Sequence, residues 1–480
     1  MESLQQFLDA LSGFVWGPFL LIPLLLLTGL WLTIRLHGVQ FTRLWPALRL
    51  AFWQRSDDDA EGGDISHFQA LTTALAATVG VGNIVGVATA ISIGGPGALF
   101  WMWVTGLVGM ASKYAEAFLA VRFRKVDDNG EISGGPQYYL MKAIKGRAGV
   151  ALSITFAVFA ALASFGIGNM TQANAVAENM TDSFGFNNQI VAVVIAILVG
   201  LVILGGIRSI GRVTAALVPF MILAYVMGAL YILIVNAAAV PGAFQQVFAG
   251  AFTGPAAAGG AAGGIMIAIQ MGVARGIFSN ESGMGSAAIA AAAAKTSHPV
   301  RQGLVSMTQT FIDTIIVVTM TGLVLVTTGV WDSGESAALL TGMAFSHGLP
   351  GQWGGYIVTI GVVLFAFSTI LGWSYYGDRS IERLFGVKAT LPYRIIFTIV
   401  VYIGATIPLK IVWSFADIMN GLMALPNLLG LLVLSGLIAR ETKYYLQNDP
   451  QLKASQSEIN EFMEGHPGAI DSELSTSSNE

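Results

Sequence analysis

The chain has 480 residues, of which 54% are hydrophobic and only 11% charged, and its mean hydropathy is +0.69. That balance excludes an ordinary soluble globular protein and points to a polytopic α-helical membrane protein. Cysteine is absent, which excludes disulfides, thiolate chemistry and Cys metal sites. The net charge of −4 says little, because many acids sit near the end of the chain (Glu458, Glu461, Glu464, Asp471, Glu473, Glu480).

Taken in chain order, apolar runs against polar punctuation give eleven spans: 14–35, 68–94, 98–122, 150–178, 189–206, 213–236, 261–293, 301–329, 353–376, 393–408 and 411–439. The first carries Glu2 and Asp9 ahead of it and no small-x-small cleavage site before Arg35, so it reads as a retained span rather than a signal peptide. Gly94-Gly95-Pro96-Gly97 predicts a tight turn before the interfacial aromatic cluster Phe100-Trp101-Met102-Trp103. The run 256–264 reads as small-residue packing. Residues 1–447 are expected to form the transmembrane domain, with a leading span at 14–35, repeat one at 68–236 and repeat two at 261–439. Residues 448–480 are polar and poor in aromatics, which predicts a flexible cytoplasmic tail.

Basic residues are one-sided. The segments after the first, third, fifth, seventh and ninth spans hold Arg35, Arg43, Arg49, Arg55, Arg122, Arg124, Lys125, Lys142, Lys145, Arg147, Arg208, Arg212, Lys295, Arg301, Arg379, Arg383, Lys388 and Arg394. The opposite loops hold only Lys410. The positive-inside rule then places the N-terminus outside and the C-terminus, with Arg440 and Lys443, inside. Two spans are interrupted, at Thr78-Val79-Gly80-Val81-Gly82-Asn83-Ile84-Val85-Gly86 and at Gly276-Ile277-Phe278-Ser279-Asn280-Glu281-Ser282-Gly283-Met284-Gly285. Each opens a set of five spans. Five is odd, so the second broken helix enters the membrane opposite to the first, giving an inverted-topology repeat with a pocket at the breaks.

Several motifs carry a resemblance. Gly80-Val81-Gly82-Asn83, Gly94-Gly95-Pro96-Gly97-Ala98 with Trp101-Met102-Trp103, and Phe278-Ser279-Asn280-Glu281 with Gly283-Met284-Gly285 resemble the sodium:alanine/glycine symporter family. So do Gly134-Gly135-Pro136, Phe165-Gly166-Ile167-Gly168-Asn169-Met170 and the stretch 368–376. The likeness runs from about residue 15 to 442. It implies an all-α, leucine-transporter-like fold of one leading span plus a 5+5 inverted repeat. It also implies a multi-pass cell-membrane importer of small neutral amino acids (alanine, glycine) coupled to sodium. No cofactor and no nucleic-acid partner is expected.

At the first break, a half-helix starting near 81–83 exposes N–H groups that suit a substrate carboxylate. The carbonyls just before it suit a hard cation. Thr78, Val81, Gly82 and Asn83 are therefore expected in the substrate site. In the related leucine-transporter-like proteins the matching asparagine offers its oxygen to a sodium ion shared with the substrate, which implies that role for Asn83. A helix-packing face is the rival reading for Gly86. Ser368 and Thr369 suit a second sodium site completed by carbonyls near Ala76 and Val79. Gly168, Asn169 and Gln172 place amides and open space on one span, with interhelical bonding as the rival reading. Phe278 and Ser279 lie in the second break, and Trp373 would shorten the pocket. Arg275 and Glu281 are expected either to pair structurally or to serve gating and coupling. Asp313, an isolated acid, would assist a cation or cap a helix, and Lys113 with Glu116 form an i, i+3 pair. The alternatives are a proton-coupled or other-solute carrier of the same fold and, from another class, a membrane-embedded hydrolase at Ser282, which lacks a base in its layer. No repeated ring suggests a channel filter.

Overall fold

The computed structural model describes residues 2–54, 57, 60, 62–253, 261–349, 353–407 and 410–464. The small-residue run 256–264 lies partly outside them, as do Arg55 and the acids beyond 464. Beside short helices at Val39–Thr42 and Pro136–Ala143, the helices are α1 (Glu2–Val15), α2 (Leu21–Arg35), α3 (Leu44–Phe52), α4 (His67–Thr78), α5 (Gly82–Gly94), α6 (Gly97–Arg122), α7 (Arg147–Phe184), α8 (Asn188–Ile203) and α9 (Gly206–Val235). They continue with α10 (Val240–Thr253), α11 (Ala261–Asn280), α12 (Ser286–Ala292), α13 (Pro299–Thr328), α14 (Ala337–Gly348), α15 (Trp353–Phe385), α16 (Thr390–Thr406), α17 (Lys410–Asn448) and α18 (Gln456–Glu464). Among the described residues, six helices are long and apolar enough to cross a membrane, and the bent pair α4–α5 makes a seventh.

Both expected breaks are present. The halves of the first meet at 54°. At the second, the backbone turns through positive φ at Glu281 (+53°), Gly283 (+88°) and Gly285 (+85°), which an α-helix cannot accommodate. α4 starts where a sequence signal says it should: Ser66 accepts from Gln69 N–H while Gln69 returns a bond to Ser66 N–H. π-turns at Gly166–Met170 in α7 and Phe311–Val318 in α13 sit beside the breaks, where such turns widen a helix locally.

The core helix is α6, packed against α11, α13, α2 and α10. Glycines allow the close crossings: a Cβ on Gly276 would lie 2.4 Å from Thr105 Oγ1, and one on Gly106 2.8 Å from Thr314 Cγ2.

Three expectations change. The span at 14–35 divides: α1 ends at Val15, and α2 begins only at Leu21 because Gly17-Pro18 interrupts the helix. α1 and α2 both lie along α17, with Gln5 donating to Ser414 Oγ (2.9 Å), Trp16 to Asp417 O (2.9 Å) and Trp31 to Ser435 Oγ (3.2 Å). Helices α10 and α14 were not expected. α10 receives the aromatic cluster, with Phe100, Trp101 and Trp103 against Phe244, Phe248 and Phe252. The flexible tail does not hold for 449–464. Ile459 and Met463 of α18 are buried, and Arg43, Arg49 and Arg301 donate to Pro450 O (3.0 Å), Gln451 O (2.5 Å) and Asp449 Oδ2 (3.0 Å). Composition misleads here because those contacts lie at the far ends of other helices.

At the same basic end, the strand-like segment before α4 meets the one after α12. Asp64 N–H donates to Ala293 O (2.8 Å) and Lys295 N–H to Ile65 O (2.7 Å). Arg124 clamps both, donating to Ala294 O (2.8 Å) and Gly62 O (3.1 Å).

Candidate functional site

The first break is built from α4, α5, α11, α13 and α15. Gly80 N–H, freed from helix bonding, donates to Asn83 Oδ1 (2.9 Å), and Asn83 Nδ2 donates to Asp313 Oδ1 (2.7 Å). Asp313 Oδ2 accepts from Ser279 Oγ and Thr314 Oγ1, both at 2.9 Å. One carboxylate from α13 thus joins the two broken helices. Ser279 and Asn83 are both wholly buried. Gly82 lies under Phe278, where a Cβ would come 3.0 Å from the ring. Phe278 in turn lies near-parallel to Trp413 at 6.5 Å, with Arg275 over its ring at 5.6 Å.

A second cluster of oxygens lies one turn away. Ser368 Oγ and Thr369 Oγ1 approach Ala76 O at 3.3 and 3.1 Å. Both hydroxyls also reach Phe365 O, at 2.8 and 2.9 Å. A hydroxyl that can rotate its proton to Phe365 O leaves its lone pairs for a cation beside Ala76 O. Gly80 closes the cluster, since a Cβ there would fall 2.5 Å from Thr369 Oγ1. That hypothetical atom would be 3.5 Å from Gln172 Oε1, a buried oxygen with no hydrogen-bond partner among the described residues. Gln172 Nε2 is held by Ile167 O (3.0 Å), a carbonyl within the π-turn of α7. Thr78 faces α13 and accepts from Gln309 Nε2 (3.0 Å).

Three site expectations are corrected. Gly168 does not leave space for a ligand: Trp373 fills it, and a Cβ at 168 would lie 2.3 Å from Trp373 Cβ. Asn169 points away from the breaks and donates to Phe397 O (2.8 Å), the interhelical role. Arg275 and Glu281 do not form an ion pair among the described contacts: Arg275 lies over Phe278, and Glu281 lies past the end of α11, where the backbone has already turned to positive φ. Glu281 instead accepts from Trp373 Nε1 (2.9 Å) and Ser286 Oγ (2.5 Å), so Trp373 is pinned by the second break itself.

Lys113 and Glu116 pair at 3.8 Å as expected, but both also bond to the second break. Sequence reading missed that reach, together with Gln309, Thr314 and Asn427. The available signal was polar residues in mid-span: Gln309, Thr310 and Asp313 in one helix, and Asn427 directly after Pro426 in another.

Two broken helices joined by a buried carboxylate are the arrangement of a leucine-transporter-like fold. A solved neighbour, the transporter MhsT in complex with L-phenylalanine, shares this fold at a TM-score of 0.53 and 15% identity, covering 79% of this chain and 90% of its own. The sodium:alanine symporter family model matches residues 1–460, and the chain belongs to that family of cation-coupled amino-acid symporters. It is 53% identical to the sodium/alanine symporter AgcS of Methanococcus maripaludis, covering 91% of this chain and 96% of the relative. It is 35% identical to the probable sodium/glutamine symporter GlnT of Bacillus subtilis, covering 97% and 96%.

Proposed function

We propose that this chain is a sodium-coupled symporter that imports alanine and glycine by alternating access. Its eleven spans would place the N-terminus outside and the basic end in the cytoplasm. The observation that carries the reading is the convergence on the first break of a freed half-helix N-terminus, an amide, a carboxylate and two hydroxyls beside a free-ended carbonyl. A zwitterion needs both an anion-binding and an ammonium-binding partner. The N–H groups near Val81 and Gly82 suit its carboxylate, and the unpartnered Gln172 Oε1 suits its ammonium. Asn83 with Asp313 supplies oxygens for one sodium ion. Ser368, Thr369 and the carbonyls of Ala76 and Val79 supply them for another.

Trp373 over Gly168 and Phe278 over Gly82 leave little width, which favours alanine and glycine over the glutamine named for one relative. Gating falls to Phe278 with Arg275 and to the Trp373–Glu281 bond, and coupling to Asp313, which touches both breaks. The test is labelled-alanine uptake into proteoliposomes under an imposed sodium gradient, with potassium and pH-gradient controls and glutamine as competitor. Uptake driven by a proton gradient in sodium-free buffer would replace sodium by protons, and equal competition by glutamine would overturn the size argument.

A further inference from the structure

Each break is plugged by side chains from the second helix of the opposite repeat. Gln309 and Asp313 of α13 reach the first break. Lys113 and Glu116 of α6 reach the second. Lys113 Nζ donates to the Glu281 carbonyl at 3.0 Å, immediately beyond the C-terminal end of α11. Glu116 Oε1 accepts from Gly285 N–H (2.9 Å), just ahead of α12, and from Asn427 Nδ2 (2.8 Å). Asn427 also donates to Gly283 O (2.8 Å), so α17 holds the same turn.

The matching of charge to helix end is complete. A helix C-terminus carries partial negative charge and receives the ammonium, while the turn leading into the next half-helix presents N–H groups and receives the carboxylate. The two side chains are 3.8 Å apart and only 1% and 0% exposed. Ionisable groups at this depth persist when paired. The first break differs. Among the described residues bonded to it, the only charged side chain is the anionic Asp313, and no lysine or arginine serves its carbonyls.

We propose that Lys113 is a tethered cation, holding at the carbonyl end of the second break the position that a sodium ion takes at the first. With Glu116 it keeps that break permanently loaded, so that solute binds at one break only. This rests on the sodium-symport reading. It adds that the Lys113–Glu116 pair is balanced within itself beside the Glu281 carboxyl, which Trp373 and Ser286 satisfy by hydrogen bonds, and that Lys113 is a positioning residue for the Glu281–Trp373 contact.

The full chain in lipid nanodiscs would be assayed for sodium binding, and in proteoliposomes for the sodium dependence of alanine uptake. Lys113→Met leaves the Glu281 carbonyl and the Glu116 carboxylate without their cation. It should bind about one further sodium ion per chain, because an uncompensated buried charge recruits a counter-ion. Its melting temperature should also rise more steeply with added NaCl than that of the unchanged protein. Lys113→Met/Glu116→Gln removes both charges and should return the sodium count and the uptake curve to those of the unchanged protein. A folded Lys113→Met with an unaltered sodium count and uptake curve would overturn the proposal and make Lys113 a helix fastener. Where Lys113→Met does not fold, the double variant decides: recovery of uptake supports internal charge balance, and a loss as deep as that of the single variant overturns it. Absence of sodium binding to the unchanged chain would sink the symport reading instead, while an ion acquired by Lys113→Met would still support the tethered cation.

Discussion

Trp373 sits where three arguments meet: its ring fills the space above Gly168, its indole N–H bonds to Glu281, and it is four residues from Thr369. Gly168→Ala forces a Cβ into that ring, and overpacking of a tight core costs about 1–3 kcal/mol. Thermal melting should show that loss, and Trp373→Phe should relieve part of it. Trp373→Ala costs more on its own, about 3–5 kcal/mol, but frees volume beside the proposed substrate site. In variants that still transport, valine and leucine should then compete with labelled alanine. An unchanged size ranking would make Trp373 a packing residue alone. Ser368→Ala/Thr369→Ala should raise the sodium concentration for half-maximal uptake and leave the alanine KM at saturating sodium nearly unaltered. A sodium curve that does not move would remove those hydroxyls from the ion site.

At the level of elements, glycines in the broken helices separate by what surrounds them. A Cβ on Gly86 would meet nothing within 4 Å, and its φ is −63°, so Gly86→Ala relieves only the entropy cost of glycine in a helix. It should stabilise by about 0.5–1 kcal/mol, read as a higher melting temperature with uptake retained. Loss of uptake with the fold intact would place a ligand or moving partner against residue 86. Gly285→Ala should be far worse. Its φ is +85°, and the added atom would lie 2.5 Å from Pro136 Cγ and 2.9 Å from Asn427 Cγ. The breaks themselves were legible in the sequence, because glycine and polar residues clustered in mid-span are costly in lipid unless the helix opens around a pocket. What each side chain would touch was not. Gly168 read as open space because the sequence does not say that Trp373, about two hundred residues later, descends onto it. Arg275 and Glu281 were open to pairing because both are charged and close in sequence, whereas the turn after Asn280 gives Glu281 different neighbours.

For the whole molecule, the basic end is one network rather than a set of loops. Arg301 Nη2 donates to Asp449 Oδ2 (3.0 Å), its Nη1 lies 3.3 Å from Asp57 Oδ2, and Asp57 accepts from Ser297 N–H (2.8 Å). Charge counting placed these arginines at one end but treated them as free positive charge. In the structure several of them are paired, as Arg379 is with the buried side chains of Asp127, Asp378 and Glu382 and with the partly exposed Glu131. Truncation after Asn448 should therefore loosen the basic end, seen as faster proteolysis near Gly62 and Lys295 and a lower melting temperature. His298, before α13 and stacked on Tyr445 at 4.2 Å, adds a pH dependence. Burial, reinforced by Arg122 and Arg301, pushes its imidazole down from 6.5 to about 3. The unfolded chain then binds a proton that the folded chain refuses, so stability falls as pH drops from 6.5 towards 3. For Asp57, burial pushes the carboxyl up, but hydrogen bonds from His67 and Ser297 and the charge of Arg301 outweigh it. That carboxyl therefore stays below the usual carboxylate range. Its contribution is intact above the ordinary carboxylate pKa and is lost only at lower pH. The melting temperature should thus begin to decline near pH 6.5, and His298→Gln should flatten that limb. A midpoint flat down to pH 5 in the unchanged protein would mean that His298 titrates normally.

The packing of α1 and α2 on α17, and of Arg43 and Arg49 on the segment beyond it, closes the chain end upon end. Arg43 and its acceptor are 407 positions apart, and Arg49 and its acceptor 402. At ribosomal speeds of about 5–20 residues per second, those arginines wait roughly 20–80 s for partners. Throughout that interval α1 and α2 lack their seat on α17, and the two arginines lack their acceptors. A nascent copy that stops before α17 therefore lacks both closures, however much of the chain between them has already folded.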